Sequence, residues 1–417
     1  MDSKNSLMKN MAWNTVGNII YFFCQWVTTV LIVRLDSYDA AGYLSLAMST
    51  SSTFSTVCLF NMRNFQVSDV KREYADDIYA GSRLITCLIG FILCCIFSLN
   101  SSSVYQMLCI DAYMIIRIAE SAVDVIHGID QRINRYDIIG KSFLCRGILT
   151  VALFSVGIFF SLDLYITLLI TGIGNLLFVV LYDLRKTRML SKFKPIVKDK
   201  KVFDLLKECA PLVVTSFLLS TIPLLPRTTI QNNLGNDVLG IYSSIASPTL
   251  IVQVFANYVF APVLPELARI YQSGEYKKFR QIFHKILLLL LFFSVCVTIG
   301  ALVLGKLGLS LLYGKSILKS YNLFIPLVWC TTLTAFIWIL NSIVTSIRKI
   351  MSTMVVSFCG FIVDLCLNRR LIELFGANGA SYIQIISFLL EIIILVAIVE
   401  INTNKGQKKV EQIDKKK

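Results

Sequence analysis

Apolar segments long enough to cross a lipid bilayer recur along the whole chain. A bilayer-spanning helix needs about 20 mostly apolar residues, and twelve such segments, separated by short polar connectors, can be marked in the 417 residues. The first six cover 12–33, 40–60, 82–99, 104–126, 139–160 and 164–184, and the second six cover 206–225, 238–261, 283–304, 321–346, 351–367 and 380–401. This pattern predicts an all-α polytopic membrane protein with about twelve transmembrane helices.

Composition and charge agree with a membrane protein. Hydrophobic residues make up 56% of the chain and charged residues only 16%, whereas soluble domains carry about 25% charged residues. The formal net charge is +14, but the basic residues occupy short connectors rather than one patch, which argues against a nucleic-acid partner. With cytoplasmic termini, 31 of the 40 Lys and Arg residues lie in the tails and inner connectors. The positive-inside rule therefore predicts that both termini are cytoplasmic.

The most basic inner connector divides the segments six and six. We predict an N-terminal six-helix lobe at 1–184, a basic cytoplasmic linker at 185–205, a C-terminal six-helix lobe at 206–401 and a basic cytoplasmic tail at 402–417. Because six is even, the lobes would form a parallel repeat about an axis along the membrane normal. The spacing of DAAGYLSLAMS at 39–49 recurs in DVLGIYSSIAS at 237–247, and Arg34 and Arg227 precede the two stretches.

Polar residues form a stripe along the fourth segment. Arg and Asp at the bilayer centre cost about 2.5 to 3.5 kcal/mol each, so this stripe should face a bundle interior or a water-filled cavity. Two interpretations stay open: a cavity wall that contacts a polar substrate or carries protons, and a structural ion network. In the network, Arg117 would pair with Glu120, and Asp124 with Arg63 or Arg146. The stripe consists of Tyr113, Arg117, Glu120, Asp124, His127 and Gln131.

The first segment carries a neutral stripe at similar spacing. Its amides and hydroxyls suit the hydroxyl groups of sugars, and they also suit hydrogen bonds between packed helices. A face of small residues in the second segment favours close helix packing instead. Pro211, Pro223, Pro226, Pro248 and Pro262 predict broken seventh and eighth helices. The first-segment stripe consists of Asn14, Asn18, Tyr21, Gln25 and Thr28, and the second-segment face of Ser45, Ser49, Ser52 and Thr56.

Motifs for catalysis or metal binding do not stand out in the sequence. It has no Walker-type loop, no GxSxG and no HExxH. Its twelve cysteines include no CxxC pair and fit buried small hydrophobic residues rather than disulfides or zinc. We therefore expect a transporter rather than an enzyme, without a bound cofactor or metal, and with H⁺ or Na⁺ as candidate coupling ions.

Five stretches of the sequence carry a family resemblance. They resemble the Wzx-type flippases of O-antigen and capsule synthesis, members of the MOP exporter superfamily that also contains MATE antiporters and lipid II flippases. The more specific stretches are NMRNFQVSD and ESAVDVIHGIDQRINRYDIIGKS. The others are WNTVGNIIYFFCQWVTTVLIVRL, APLVVTSFLLSTIPLLPRTTIQNNLGNDVLGIYSSIASP and LNRRLIELFGANGAS.

The resemblance implies two lobes around a cavity that opens alternately to either side of the bacterial cytoplasmic membrane. The cargo would be an oligosaccharide repeat unit on undecaprenyl pyrophosphate, and polysaccharide polymerase machinery is a candidate partner. A MATE-type cation-coupled exporter of small molecules is the main alternative. A membrane polymerase or ligase would need a larger outer domain than these connectors provide.

The family pattern and the polar stripes together define the candidate translocation residues. One departure is that Arg117 is outweighed by two acids on its own stripe, which puts a wholly cationic cavity in doubt. The family pattern points to Arg34, Arg63, Glu120, Asp124, Gln131, Arg135 and Arg227, and the stripes add Asn14, Asn18, Gln25 and Arg117.

Overall fold

The computed structural model describes residues 2–69, 72–260 and 263–414, and in these ranges every regular element is a helix. Contacts between residues divide the chain into two compact units, 1–220 and 221–417. The helices of the first unit are α1 (Asp2–Leu35), α2 (Tyr38–Leu59), α3 (Met62–Ser68), α4 (Asp76–Ser98), α5 (Val104–Arg132), α6 (Tyr136–Phe159), α7 (Leu164–Phe178), a π-helical segment (Val179–Leu184), α8 (Arg185–Leu190) and α9 (Lys200–Thr221).

The second unit begins at Thr221, the last residue of α9. Its helices are α10 (Leu224–Leu234), α11 (Asn236–Ala246), a 3₁₀ turn (Ser247–Thr249), α12 (Leu250–Phe260), α13 (Val263–Gln272), α14 (Tyr276–Tyr313), a second 3₁₀ segment (Lys315–Leu323), α15 (Phe324–Ser346), α16 (Ile350–Phe375) and α17 (Ala377–Asp414).

In the described ranges, nine helical stretches are long and apolar enough to cross a membrane. Two further predicted segments form single helices, α2 and α5, whose lengths suffice but whose sequences are more polar. The eighth predicted segment is divided by the 3₁₀ turn at Ser247–Thr249. The chain is thus a multi-pass membrane protein, whereas the count of twelve spans stays a prediction.

Helix α5 lies at the centre of the first unit and packs against α2, α4 and α7. The Ser103 hydroxyl caps its N-terminus by accepting a hydrogen bond from the Gln106 backbone N–H at 3.1 Å. Leu44, Ile110, Met114 and Leu168 belong to the apolar core at these contacts. The central position of α5 explains how a helix with many charged residues lies within a membrane domain.

Helices α1 and α6 pack along each other on the same unit. Glycines allow this approach, because a Cβ atom added at Gly17 would overlap the backbone of Gly140, and one added at Gly140 would overlap the carbonyl group of Trp13. This close contact fixes the distance between the backbones of α1 and α6, and with it the position of the side chains on neighbouring turns of α1.

In the second unit, α17 packs against both α15 and α16. Leu340, Ile343 and Leu395 belong to an apolar core that also includes Phe283 of α14. The outward side of α14 exposes leucine and phenylalanine side chains such as Leu288, as expected for a surface that faces lipid.

The predicted proline breaks are partly confirmed. Pro211 lies inside the continuous α9, but α9 ends at Thr221 and α10 begins after Pro223. Pro248 lies in the 3₁₀ turn that separates α11 from α12, and Pro262 falls outside the described residues. Helix ends were less well predicted, since α4 starts at Asp76 rather than at Ser82 and α14 extends well beyond both ends of 283–304.

Candidate substrate-binding site

The polar stripes of α1 and α5 meet at the carboxylate of Glu120. The Tyr21 hydroxyl donates to its Oε1 at 2.5 Å, and the Gln25 amide donates to the same oxygen at 2.7 Å. Arg117 Nη1 donates to Oε2 at 2.5 Å. Three donors from two helices therefore hold one carboxylate in place.

Arg117 extends this cluster to α2. Its Nη2 donates to the Ser52 hydroxyl at 2.8 Å, and its guanidinium lies 5.4 Å from the centre of the Tyr113 ring. The small-residue face of α2 thus supplies a polar contact as well as close packing. The side chains of Arg117 and Glu120 keep 16% and 19% of their surface exposed.

A second cluster lies one turn further along α5, at Asp124. Arg83 Nη2 is 2.9 Å from Asp124 Oδ2, and Arg63 Nη1 is 3.5 Å from Oδ1. Arg63 also donates to Gln131 Oε1 through Nε at 3.3 Å and Nη2 at 3.1 Å. The pairing of Asp124 with Arg63 that the sequence left open is therefore present in the structure.

Arg83 of α4 was not singled out by the sequence. It is only the second residue of the predicted segment 82–99 and counts there with the basic residues of the inner connector, yet α4 starts at Asp76 and the Arg83 side chain is only 2% exposed. The available signal was an arginine followed directly by a long apolar run. It supplies the extra cation that two acids one turn apart on α5 require.

Arg83 also explains the sharp break between α2 and α3. Phe60 and Asn61 have positive φ angles of 49° and 52°, which non-glycine residues rarely adopt. Arg83 donates to the Cys58 carbonyl group, and the Thr86 hydroxyl donates to the same oxygen at 2.8 Å. The end of α2 is thereby fixed, and the short helix α3 places Arg63 beside α5.

The other fourth-segment residues differ in exposure. His127 is fully buried and lies against Asp183, whereas Gln131 is half-buried and contacts Arg63. Arg146 is also fully buried, but it lies over the Tyr21 ring at 5.4 Å rather than beside Asp124. His127 is therefore a buried position of the stripe between the partly exposed Asp124 and Gln131.

The remaining candidate residues lie elsewhere. Asn14 and Asn18 are half-buried on α1, toward its N-terminus from Tyr21, and Asn14 Oδ1 is buried without a hydrogen-bond partner among the described residues. Arg34 is exposed in the last turn of α1. Arg135 pairs with Asp137 at 2.8 Å, just before α6. Arg227 is half-buried on α10 of the second unit.

The second unit contains a separate group of buried polar side chains. Asp364 of α16 and Glu391 of α17 are fully buried, and their carboxylate oxygens have no hydrogen-bond partner within the described residues. A Cβ atom added at Gly360 would overlap the Glu391 carboxylate, so Glu391 lies against α16 one turn before Asp364. Asn368, a further turn along, donates to the Thr229 hydroxyl of α10 at 2.7 Å.

These features define the class of the protein as a helical membrane transporter, with a polar, charge-paired site inside the first unit. Comparisons with known proteins agree. The family model described as lipid II flippase MurJ matches residues 144–416. The chain belongs to this family of flippases, within the MOP superfamily, and the predicted family relationship is confirmed.

Individual relatives give the same picture. The capsular polysaccharide biosynthesis protein CapF of Staphylococcus aureus is 28% identical over 317 residues, which cover 74% of this chain and 78% of CapF. The MATE transporter VcmN of Vibrio cholerae has a TM-score of 0.63 at 15% identity, covering 98% of this chain and 99% of the other. A MOP superfamily transporter from Pyrococcus furiosus has a TM-score of 0.58 at 13% identity, covering 96% and 94%. At these identities the solved structures show the fold alone, and they confirm the predicted MATE-like fold class.

Proposed function

We propose that this protein flips oligosaccharide repeat units linked to undecaprenyl pyrophosphate across the bacterial cytoplasmic membrane, for the assembly of a surface polysaccharide. The proposal combines the flippase family with the similarity to a capsular polysaccharide biosynthesis protein. Both termini would be cytoplasmic, as the basic connectors predict. The lipid tail would remain in the bilayer while the polar head crosses through the protein by alternating access.

The observation that carries this proposal is the chemistry around Glu120 and Asp124. An anionic pyrophosphate needs guanidinium donors, and Arg63 is the most accessible arginine bound to Asp124, with 26% of its side chain exposed. Its contact with Asp124 is long, at 3.5 Å, and its other partner is a neutral amide. A phosphate oxygen could therefore replace Asp124 as the partner of Arg63 while Arg83 continues to neutralise the acid.

Sugar hydroxyls need neutral donors and acceptors beside this cation. Gln25 and Ser52 lie on either side of the Glu120–Arg117 pair, and Asn14 and Asn18 continue the polar face of α1 toward its N-terminus. Paired charges next to amides and hydroxyls suit a head group that is anionic at one point and uncharged elsewhere.

Coupling to H⁺ or Na⁺ is part of the proposal, and we place it in the second unit. Glu120 and Asp124 already have arginine partners. Asp364 and Glu391 have neither a cationic partner nor a hydrogen-bond donor among the described residues. A buried carboxylate without a partner normally binds a proton or a cation.

The alternative is a MATE-type cation-coupled exporter of small molecules, and the two buried carboxylates would suit it as well. Deleting the gene separates the two functions. Loss of the flippase should cause lipid-linked oligosaccharide to accumulate, which mass spectrometry of extracted lipids would detect and identify. Greater sensitivity to small cationic compounds, with no accumulated lipid-linked glycan, would favour the exporter and contradict the flippase.

Single substitutions test whether export depends on the proposed site. Export should be lost in Arg63→Ala at unchanged protein abundance. Arg269→Ala is the matched control, because Arg269 also pairs with an acid but lies exposed on α13 of the second unit. Full export by the Arg63→Ala protein would remove the proposed role of this arginine.

A further inference from the structure

His127 and Asp183 form a buried pair that the proposed substrate-binding site does not use. His127 Nε2 lies 3.5 Å from Asp183 Oδ1, and both side chains are 0% exposed. Neither ring nitrogen and neither carboxylate oxygen has a hydrogen-bond partner among the described residues. Asp183 belongs to the π-helical segment Val179–Leu184, and such segments are uncommon and often occur at functional sites.

Two arginines of neighbouring helices, Arg63 and Arg83, have an acidic partner of their own, whereas the guanidinium nitrogens of Arg146 have no hydrogen-bond partner among the described residues. Arg63 of α3 contacts Asp124 and Gln131, and Arg83 of α4 contacts Asp124 as well. Arg146 of α6 lies over the Tyr21 ring and within electrostatic range of His127, but forms no ion pair with Asp183. No cation other than His127 therefore lies within ion-pair distance of Asp183 in the described part of the chain.

The neighbouring acid on α5, Asp130, has a hydrogen-bond partner of its own. Asp130, one turn beyond His127 on α5, accepts hydrogen bonds from the Thr187 hydroxyl of α8 at 2.9 and 3.0 Å. Phe143 of α6 covers the imidazole with a ring-to-ring distance of 5.1 Å, and α7 contributes no charged residue. Both side chains of the pair are thus shielded from solvent, while Asp130 and Tyr182 lie within electrostatic range of Asp183.

The charge of the pair then decides its protonation. A neutral imidazole beside an ionised carboxylate would leave one buried negative charge without an ion-pair partner among the described residues, which is costly in an apolar environment. One additional proton removes that charge, either as imidazolium with carboxylate or as imidazole with carboxylic acid. We propose that His127 and Asp183 together form a proton-binding site that holds one proton in the conformation described here.

A proton fits this site better than a metal ion. Among the described residues no group of three or more His, Cys, Asp and Glu side chains could hold a metal. Two ligands without further donors are too few for the sites that zinc or sodium-like cations occupy in proteins. The proton would leave when the pair is separated or reached by water. Protonation of the pair would thus depend on the conformation of the first unit, and only its link to the transport cycle rests on the proposed function.

The chain contains two histidines, which makes a direct test possible. In the NMR spectrum, purified protein labelled with ¹⁵N-histidine should give one set of imidazole signals from each histidine. The His284→Gln variant should retain only the set that belongs to His127. At neutral pH we expect either imidazolium shifts for His127 or an infrared band of a protonated carboxyl group that disappears in Asp183→Asn. Neutral imidazole shifts together with no such band would overturn the proposal.

A second variant and a pH titration complete the test. If Asp183→Asn fails to fold, His127→Gln provides the second variant, because losing the partner should change the infrared signal of Asp183. In the intact pair the imidazole and carboxyl signals should change in the same macroscopic titration steps, and steps at different pH for the two groups would contradict a shared proton. Since no substrate is needed, failure of this test leaves the flippase proposal standing, and failure of the export assays leaves the proton site standing.

Discussion

Arg83 donates to the carboxylate of Asp124 across 2.9 Å, from a side chain that is almost completely buried. The same guanidinium holds the end of α2 through the Cys58 carbonyl group. One arginine therefore links three helices of the first unit, α2, α4 and α5. Arg63 binds the same acid from a more exposed position. The two arginines should consequently differ in what their loss does to the protein.

Replacing Arg83 by alanine should destabilise the protein. Removing one partner of a buried ion pair typically costs about 3 to 5 kcal/mol, and here the Cys58 carbonyl group also loses a donor. We expect a marked fall in membrane abundance and in the thermal unfolding temperature of Arg83→Ala, measured by immunoblot and by a melting assay in detergent. Normal abundance and an unchanged melting temperature would contradict the structural role of Arg83.

Replacing Asp124 by asparagine tests the cluster from the acid side. The buried Arg83 then loses its charge partner, whereas Arg63 can still contact Gln131. We expect Asp124→Asn to lower abundance nearly as much as Arg83→Ala, and the double variant to be less unstable than the two losses added together. Strict additivity would show that the two side chains do not stabilise each other.

The sequence identified the polar faces of this site but not their partners. Helical periodicity shows that Tyr21 and Gln25 share one face of α1 and that Arg117, Glu120 and Asp124 share one face of α5. It does not reveal that these faces meet at Glu120, because that contact spans about a hundred positions of the chain. Arg83 was missed for a related reason, since its depth in α4 depends on where the helix begins.

His127 illustrates a further difference between sequence and structure. Its spacing placed it on the same stripe as Glu120, but it is fully buried and contacts Asp183 rather than an accessible surface. Nothing in the spacing distinguishes this buried position from the partly exposed positions on either side of it, because the covering residues Phe143 and Asp183 come from other helices.

Neutralising Asp364 and Glu391 should abolish ion coupling without lowering the stability of the protein. Asp364 and Glu391 have no partner among the described residues, so no ion pair seen there is broken, and Asp364→Asn and Glu391→Gln should keep normal abundance. We expect export by these variants to become insensitive to dissipation of the H⁺ or Na⁺ gradient, measured in vesicles with ionophores. Wild-type coupling in both variants would exclude this pair as the coupling site.

The orientation of the chain can be tested independently of transport. From the distribution of Lys and Arg we expect reporters fused after Asp76, after Lys194 and at the C-terminus to report a cytoplasmic location. Fusions near Ser102 and Lys315 should report the outer side. A reproducible inversion at any of these positions would overturn the predicted topology.

The contact between α1 and α6 gives a prediction with a matched control. Alanine at Gly17 would bring its Cβ atom into overlap with the backbone of Gly140, and backbone atoms in packed helices cannot move aside easily. At Gly300 of α14, no atom of the described residues lies within 4 Å of the position of a Cβ atom. Alanine there should be neutral or slightly stabilising, since glycine disfavours a helix interior by about 1 kcal/mol. We expect Gly17→Ala to cost about 1 to 3 kcal/mol, the usual range for overpacking. Both proteins would be compared by thermal unfolding in the same detergent, and equal melting temperatures would contradict the close packing of α1 on α6.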